Sequence, residues 1–327
     1  MFKTSEKYAE ILFILGIIVS LFSVFFFVPV LTSLIYDEEV HLLFGSIGIL
    51  SLSSGITTAF LFKSPQEEFK PKRELQPRDG FLLVLLVWLI LSFISSLPFY
   101  FHFHEITLIA AMFEAISGLT TTGATVFGGL DQMSKGILIW RALLQWIGGM
   151  GILVLTIAIL PLLGVGGMQV FRAEASGPMK DKKLTPRIAE TAKALWVIYF
   201  ILTLFCIVFY WLAGMTFFDA IAHAFTTISI GGLSTHDQSF GHFNSVTIEA
   251  IAIIFMIIAG MNFTLHFSAA KNLTFSMYWK SLENRCFLFM LLFGVVVAFL
   301  ALYSTNENVH FFEGNSVFLN WSSREKD

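Results

Sequence analysis

Two stretches of the sequence decide the fold: MFEAISGLTTTGATV, from Met112 to Val126, and IAHAFTTISIGGLST, from Ile221 to Thr235. They align at an offset of 109 residues, which places Gly123 over Gly232. The alignment also pairs small or hydroxyl residues: Ala115 with Ala224, Ser117 with Thr226, Thr120 with Ser229 and Thr125 with Ser234. Both stretches lie between long apolar runs, so a tandem duplication explains the two copies.

The composition around these stretches is that of a membrane protein. Of the 327 residues, 56% are hydrophobic and 13% are charged, whereas soluble domains contain about 25% charged residues. So few charged groups cannot cover a water-soluble surface of this size. The same composition excludes disordered, collagen-like, coiled-coil and disulfide-rich secreted proteins.

The apolar runs predict an all-α integral membrane protein with about seven transmembrane helices and two shorter re-entrant helices. A helix needs about 20 apolar residues to cross the hydrocarbon. Seven stretches are long enough: Ile11–Tyr36, Leu42–Phe62, Phe81–Phe103, Gly136–Leu163, Ala194–Gly214, Val246–Phe267 and Cys286–Tyr303. Ile106–Leu119 and Thr216–Ile228 are too short to span, and each ends in a run of Thr, Ser and Gly. Irregular backbone at membrane depth is tolerated where it lines a water-filled cavity, so each of these units predicts a pore loop.

The distribution of positive charge predicts the orientation. With the N-terminus inside, 16 of the 20 Lys and Arg residues fall in cytoplasmic connections, as the positive-inside rule requires. Seven spans then place the C-terminus outside. The outer connections are acidic, which either concentrates cations at the entrance or reflects easier translocation of acidic residues; both interpretations stay open.

The Gly-containing segments TTTGA and SIGGL, which begin at Thr120 and Ser229, favour cation chemistry. Backbone carbonyls in an extended, Gly-containing segment can replace the water around a monovalent cation without introducing a full charge. The preceding short helix points its carbonyl end, about half a negative charge, toward mid-membrane. The alternative is a small-residue packing motif between helices, which would not be expected twice, each time after a short helix.

Four runs resemble a known family: LTTTGATVFGGLD (119–131), IWRALLQWIGGMGILVL (139–155), HAFTTISIGGLSTHD (223–237) and AGMNFTLHF (259–267). They make residues 1–300 similar to the TrkH family, the membrane subunits of bacterial Trk potassium uptake systems within the Trk/Ktr/HKT superfamily. The resemblance implies potassium uptake across the bacterial inner membrane, driven by membrane potential, through four helix–pore-loop–helix units around one pore. It also implies a homodimer and a cytosolic nucleotide-binding regulatory subunit similar to TrkA. Potassium is then the substrate, and neither a cofactor nor a nucleic-acid partner is expected.

Carried over residue by residue, the resemblance places the selectivity filter in both copies. The filter residues are Thr120, Thr121, Thr122, Gly123 and Ala124 in the first unit and Ser229, Ile230, Gly231, Gly232 and Leu233 in the second. The expected K+ ligands are the backbone carbonyls of Thr121, Thr122, Ile230 and Gly231. Ile230 and Leu233 depart from the family pattern, where Thr and Phe are common, so the hydroxyl at position 230 is missing.

Polar residues in the apolar runs are the candidates for supporting the pore. Arg141 and Gln145 lie one turn apart on the fourth span and therefore share a helix face. Arg141 either tunes the cation path or braces a pore helix through Glu114; we favour bracing, because a positive charge beside the path would slow a cation. Asn262 either lines the cavity or caps a helix break, and the sequence does not choose between the two.

The domain organisation follows from the repeats. We expect an N-terminal helix pair over 1–79, a first helix–pore-loop–helix unit over 80–188, a second over 189–282, and an incomplete third unit with a polar tail over 283–327. Two filter segments cannot surround an ion alone, so this pattern resembles a truncated or frameshifted relative, or half of a pore completed by another chain. The competing function is therefore a non-conducting remnant or an assembly or regulatory subunit.

An intramembrane enzyme is not expected. His102, His104 and Glu105 lie at the outer end of one span without a second cluster of ligands, and no HExxH motif is present.

Overall fold

A computed structural model describes residues 2–63, 77–159 and 184–304, and regular structure within these ranges is helical. Five helices there are long and apolar enough to cross a membrane, with spans at Tyr8–Ile35, Val40–Leu61, Asp79–His102, Lys193–Leu212 and Leu282–Ala301. The predicted all-α membrane fold class is confirmed. The predicted polar tail and most of the basic connections lie outside the described residues.

Contacts divide the chain into two compact units, and the first comprises Met1–Lys193 together with Gly231–Leu233. Its helices are α1 (Phe2–Ser23), α2 (Phe27–Ile35), α3 (Val40–Leu61), α4 (Pro77–His102), α5 (Leu108–Leu119) and α6 (Lys135–Ile159). The second unit comprises Ala194–Ile230 and Ser234–Asp327. The remaining described helices are α7 (Leu184–Leu212), α8 (Phe217–Ile228), α9 (Val246–Gly260), α10 (Phe263–Asn272), α11 (Ser276–Lys280) and α12 (Leu282–Ser304).

One 3₁₀ turn, Val24–Phe26, joins α1 and α2 within the first predicted span. Pro29, the third residue of α2, lacks the N–H that would bond to the carbonyl of Phe25. The tighter turn at the site of the missing bond lets the chain continue in the same span.

Trp140 of α6 is the centre of the first unit's aromatic core. Its ring lies 4.4 Å from that of Phe26, 5.8 Å from that of Phe44 and 6.1 Å from that of Phe22, measured between centroids. Its indole Nε1 donates to the carbonyl oxygen of Ser95 in α4, at 3.1 Å. Because these partners come from several elements, one buried side chain fixes α6 against the N-terminal helices.

The start of α6 is also fixed, by a carboxylate from the turn between α2 and α3. Glu38 accepts hydrogen bonds from the backbone N–H groups of Lys135, at 2.6 Å, and Gly136, at 3.0 Å. A negative charge at a helix N-terminus satisfies otherwise unpaired donors and complements the helix dipole. Glu38 belongs to a connection that the charge distribution predicts to be outside, and this contact gives it a structural role.

The sixth predicted span, Val246–Phe267, is not one continuous helix. It is interrupted at Met261 and Asn262, between α9 and α10, and the Asn262 Nδ2 donates to Glu283 Oε2 at 3.2 Å. The Ile258 carbonyl near the end of α9 accepts from the Met261 N–H at 3.2 Å and from His266 Nε2 at 2.9 Å. The apolar composition of this run predicted one helix, but the hydrogen bonds of Asn262 and His266 stabilise a break.

Candidate ion-binding loops

The two short helices are equivalent in length, position and start. Both α5 and α8 contain 12 residues, and their bounds differ by the same 109 residues as the sequence repeat. Each is capped by a threonine hydroxyl, with Thr107 accepting from the N–H of Ala110 and Thr216 from that of Asp219. The predicted short helices and their duplication are therefore present in the structure.

The two helices also end in the same way. The residue after each C-cap adopts a left-handed conformation, with φ of 55° at both Thr121 and Ile230. Its N–H bonds back to the carbonyl three residues earlier, Gly118 in the first copy and Thr227 in the second. Such a helix end usually uses glycine, and a β-branched residue with positive φ is uncommon. Backbone strain of this kind clusters at functional sites.

A glycine follows two residues later in each loop, again left-handed, with φ of 79° at Gly123 and 81° at Gly232. We call Thr120–Val126 the first loop and Ser229–Thr235 the second loop. Two backbone reversals separated by one residue turn successive peptide groups in different directions, which is how a short segment presents several carbonyls to one ligand. In the first loop, the hydroxyls of Thr120 and Thr122 lie 2.7 Å apart.

A buried ion pair braces the first loop. Arg141 Nε donates to Glu114 Oε1 at 2.8 Å, and both side chains are at most 1% exposed. Glu114 in turn accepts from the Thr125 hydroxyl and from the Val126 N–H, each at 3.0 Å. Arg141 Nη2 also donates to the Thr125 hydroxyl at 3.0 Å. This is the bracing contact that we favoured from the sequence.

The second loop has a different brace at the equivalent positions. His223 stands 109 residues after Glu114, and its Nε2 lies 2.9 Å from the hydroxyl of Ser234, the counterpart of Thr125. His223 Nδ1 donates to the carbonyl of Asp219 at 2.9 Å. The bracing role of His223 was not predicted, although the repeat alignment, extended to position 114, pairs His223 with Glu114.

Asp219 adds a second contact on the same side of α8. Its carboxylate accepts from the hydroxyls of Thr216, at 2.6 Å, and Thr235, at 2.7 Å, and so ties the far end of the second loop to the start of α8. Burial opposes ionisation of Asp219, but these hydrogen bonds outweigh it, and the pKa of Asp219 is lowered. Burial also lowers the pKa of His223, to about 4, which keeps its imidazole neutral at neutral pH.

Gln145 contacts the second loop from α6. Its side chain is fully buried, its Nε2 donates to the carbonyl oxygen of Gly231 at 2.7 Å, and its Oε1 accepts from the Leu233 N–H at 3.2 Å. The Gly231 carbonyl, an expected K+ ligand, thus accepts one hydrogen bond from the protein and keeps a second lone pair. Among the second-loop filter residues, Ile230 and Gly232 are exposed, whereas Ser229, Gly231 and Leu233 are buried.

Helix α6 also approaches the end of α5. A side chain at Gly148 would collide with the carbonyl of Leu119, so only glycine permits this separation. Arg141, Gln145 and Gly148 therefore give α6 three contacts to the loops or to the helix that precedes one of them. The predicted pore-support residue Asn262 lies elsewhere, at the break between α9 and α10.

The chain matches known proteins over most of its length. The TrkH family model, described as a cation transport protein, matches residues 50–314. The Trk system potassium uptake protein TrkH of Vibrio parahaemolyticus is 48% identical, over 90% of this chain and 60% of its own length. TrkH of Escherichia coli is 47% identical over the same shares, and TrkG of Escherichia coli is 38% identical over 86% of this chain.

A solved structure shows the same fold. The crystal structure of the potassium transporter TrkH from Vibrio parahaemolyticus superimposes with a TM-score of 0.76 at 44% identity, over 91% of this chain and 59% of that chain. The chain thus spans about 60% of the length of the relatives it matches.

Proposed function

Because this chain belongs to the TrkH family of cation transport proteins, we propose that it moves potassium ions across the bacterial inner membrane, driven by the membrane potential. The observation that carries the proposal is the repeated helix–loop geometry. Two 12-residue helices end in the same left-handed residue, followed by the same left-handed glycine, at equivalent positions of the repeat. A packing motif has no need to reproduce strained backbone twice.

The ion ligands in this proposal are backbone carbonyls of the two loops. Thr121, Thr122, Ile230 and Gly231 supply them. The Gly231 carbonyl oxygen also accepts from Gln145 Nε2 and keeps a second lone pair for an ion. Carbonyls of this kind bind a dehydrated monovalent cation without a fixed charge, which keeps binding weak enough for release. Glu114 and Arg141 hold the first loop but present no net charge to the ion, since they form a pair.

The proposed orientation in the membrane follows from the charge distribution, and the proposed partners follow from membership of the TrkH family. The N-terminus faces the cytoplasm, where most Lys and Arg residues lie. The chain works as a homodimer with a cytosolic nucleotide-binding regulatory subunit, and it is a transporter rather than an enzyme. Potassium is its substrate, and no cofactor takes part.

The test is uptake by this 327-residue chain. Expressed in a bacterium that lacks its own potassium uptake systems, the chain should restore growth at low potassium and allow uptake of radioactive rubidium. A matched variant, Gly123→Ala, should insert in the membrane but lose uptake. A Cβ atom at this position collides with the Gly231 carbonyl oxygen, and the backbone there has a positive φ that alanine rarely adopts.

The proposal is wrong for this chain if it accumulates in the membrane in folded form, yet neither restores growth nor takes up rubidium nor binds potassium. Folded protein is measured by size-exclusion chromatography in detergent, so that loss of uptake is not confused with loss of protein.

A further inference from the structure

The side chain of Gln145 lies between two backbone groups of the second loop. Its Nε2 donates to the Gly231 carbonyl at 2.7 Å, and the Leu233 N–H donates to its Oε1 at 3.2 Å. A backbone N–H can only donate, so the contact with Leu233 fixes which end of the amide is oxygen. Both partners and Gln145 itself are buried.

These two hydrogen bonds flank the left-handed glycine of the loop. Gly232, with φ of 81°, lies between the two residues that Gln145 holds. Glycine has the largest conformational freedom of any residue, so the reversal at Gly232 is not fixed by its own sterics. The two bonds restrict it from both sides and thereby set the direction of the neighbouring carbonyls.

The fit around this contact is tight. A Cβ atom at Gly231 would collide with the amide group of Gln145, and a Cβ atom at Gly123 of the first loop would collide with the Gly231 carbonyl oxygen. The Gly231 peptide is therefore enclosed between α6 and the first loop. The hydrogen bond from Gln145 opposes rotation of this peptide.

The same face of α6 holds the first loop one turn earlier. Arg141 reaches Thr125 directly and through Glu114, whereas Gln145 reaches the second loop with a neutral amide. One helix of the first repeat thus holds loops from both repeats. A neutral contact positions backbone without adding a charge that would repel or trap a cation.

We propose that Gln145 is a positioning residue that fixes the Gly231–Leu233 backbone and thereby determines the preference for potassium over sodium. The inference rests on the proposed potassium transport. It assigns selectivity to a side chain that touches no ion, because the position of a carbonyl ring decides which cation it suits. Losing the contact lets the Gly231 peptide rotate and changes the ligand set.

The first measurement compares Gln145→Glu and Gln145→Met with the unchanged chain. Ionised Glu at this position accepts from the Leu233 N–H but has no proton to donate to the Gly231 carbonyl. Met has similar length, adds no charge and makes neither bond, so it is the variant that isolates the loss of the contact. The preference for rubidium over sodium, measured as competition by sodium in rubidium uptake, should fall about tenfold in either variant, while the maximal rate changes less. Unchanged competition in both folded variants would overturn the proposal.

The second measurement uses the close contact at Gly231 and does not depend on transport. Gly231→Ala alone should lower the thermal unfolding temperature in detergent, because its methyl group meets the Gln145 amide. Gly231→Ala combined with Gln145→Ala should be no less stable than Gln145→Ala alone, since the obstacle has gone. Gly128→Ala is the matched control, because a Cβ atom there meets nothing within 4 Å.

Additive effects of the two substitutions would show that Gln145 does not hold Gly231, and the proposal would be wrong. If instead the unchanged chain takes up no rubidium while the double variant shows the expected coupling, the proposed transport fails and the contact stands. In that case the selectivity assignment is overturned together with the transport.

Discussion

At the scale of single residues, the first loop depends on a charged pair in an apolar setting. Arg141 and Glu114 are both buried, and removing one partner of such a pair leaves an uncompensated charge. Thr125 and Val126 add hydrogen bonds to the same carboxylate, so nearly all of its acceptor capacity is used. The main effect of the pair is therefore to hold the first loop in one position, and the net gain in stability from the ion pair itself is small.

We expect Glu114→Gln to destabilise the protein by about 3–5 kcal/mol, because Arg141 keeps its charge and loses its counter-charge. The thermal unfolding temperature in detergent should fall by on the order of 10 °C. Glu105→Gln, the same change at an exposed position, is the control and should have little effect. Equal unfolding temperatures for the two variants would contradict the role assigned to the pair.

Part of this site was predictable from the sequence. Helical spacing placed Arg141 and Gln145 on one face, and the presence of Glu114 on a short helix indicated its partner. The direction of the Gly231 carbonyl was not predictable, because it depends on a close approach of α6 that only the folded chain creates. The bracing role of His223 was not predicted for a related reason. It becomes visible only when Glu114 is recognised as a brace and the repeat alignment then pairs Glu114 with His223.

At the scale of elements, length and apolar composition predicted most helices to within a few residues. The short helices were expected at Ile106–Leu119 and Thr216–Ile228 and are observed at Leu108–Leu119 and Phe217–Ile228. The prediction from composition was wrong at Met261, where α9 ends although the sequence is apolar on both sides of this residue. A helix break of this kind depends on side-chain partners from a later segment, here Glu283 and Tyr278, which a window along the sequence does not contain.

The brace of the second loop predicts how the stability of the protein responds to acid. Helix α8 is too short to cross the bilayer, and burial lowers the pKa of its His223 from 6.5 to about 4. The unfolded chain binds a proton at this position near pH 6.5, but the folded chain does not. Stability is therefore fully present above pH 6.5 and is lost as the pH falls toward 4.

His223→Gln should flatten this decline between pH 6.5 and pH 4, because glutamine can still bond to Ser234 and does not titrate. Thermal unfolding is followed across this range for both proteins. Asp219, His236 and His242 lie near His223 and are unchanged in the variant, so the difference between the two curves reports on His223. His104→Gln, at an exposed position, is the control, and identical curves for the unchanged chain and His223→Gln would count against the brace.

At the scale of the whole molecule, the predicted orientation rests on a minority of the residues. Only 13% of the chain is charged, yet the spans predicted from the sequence place 16 of the 20 Lys and Arg residues in connections on one side. Moving so many positive charges across the membrane would oppose the positive-inside rule. The orientation also determines the side from which α5 and α8 enter the membrane, and therefore which solution faces the acidic connections.

The orientation predicts which positions a membrane-impermeant maleimide labels in intact cells. Cys206 and Cys286 are the two native cysteines, and replacing them with Ala and Ser gives a background without thiols. In that background, Glu105→Cys and Gln238→Cys should label from outside, whereas Phe275→Cys should label only after permeabilisation; all three positions are exposed. The two outer positions belong to different repeats, so they report on both copies independently. If Phe275→Cys labels in intact cells and the other two do not, the short helices enter from the cytoplasm. Their carbonyl ends would then still point to mid-membrane, but the acidic connections would face the cytoplasm and could not concentrate external potassium.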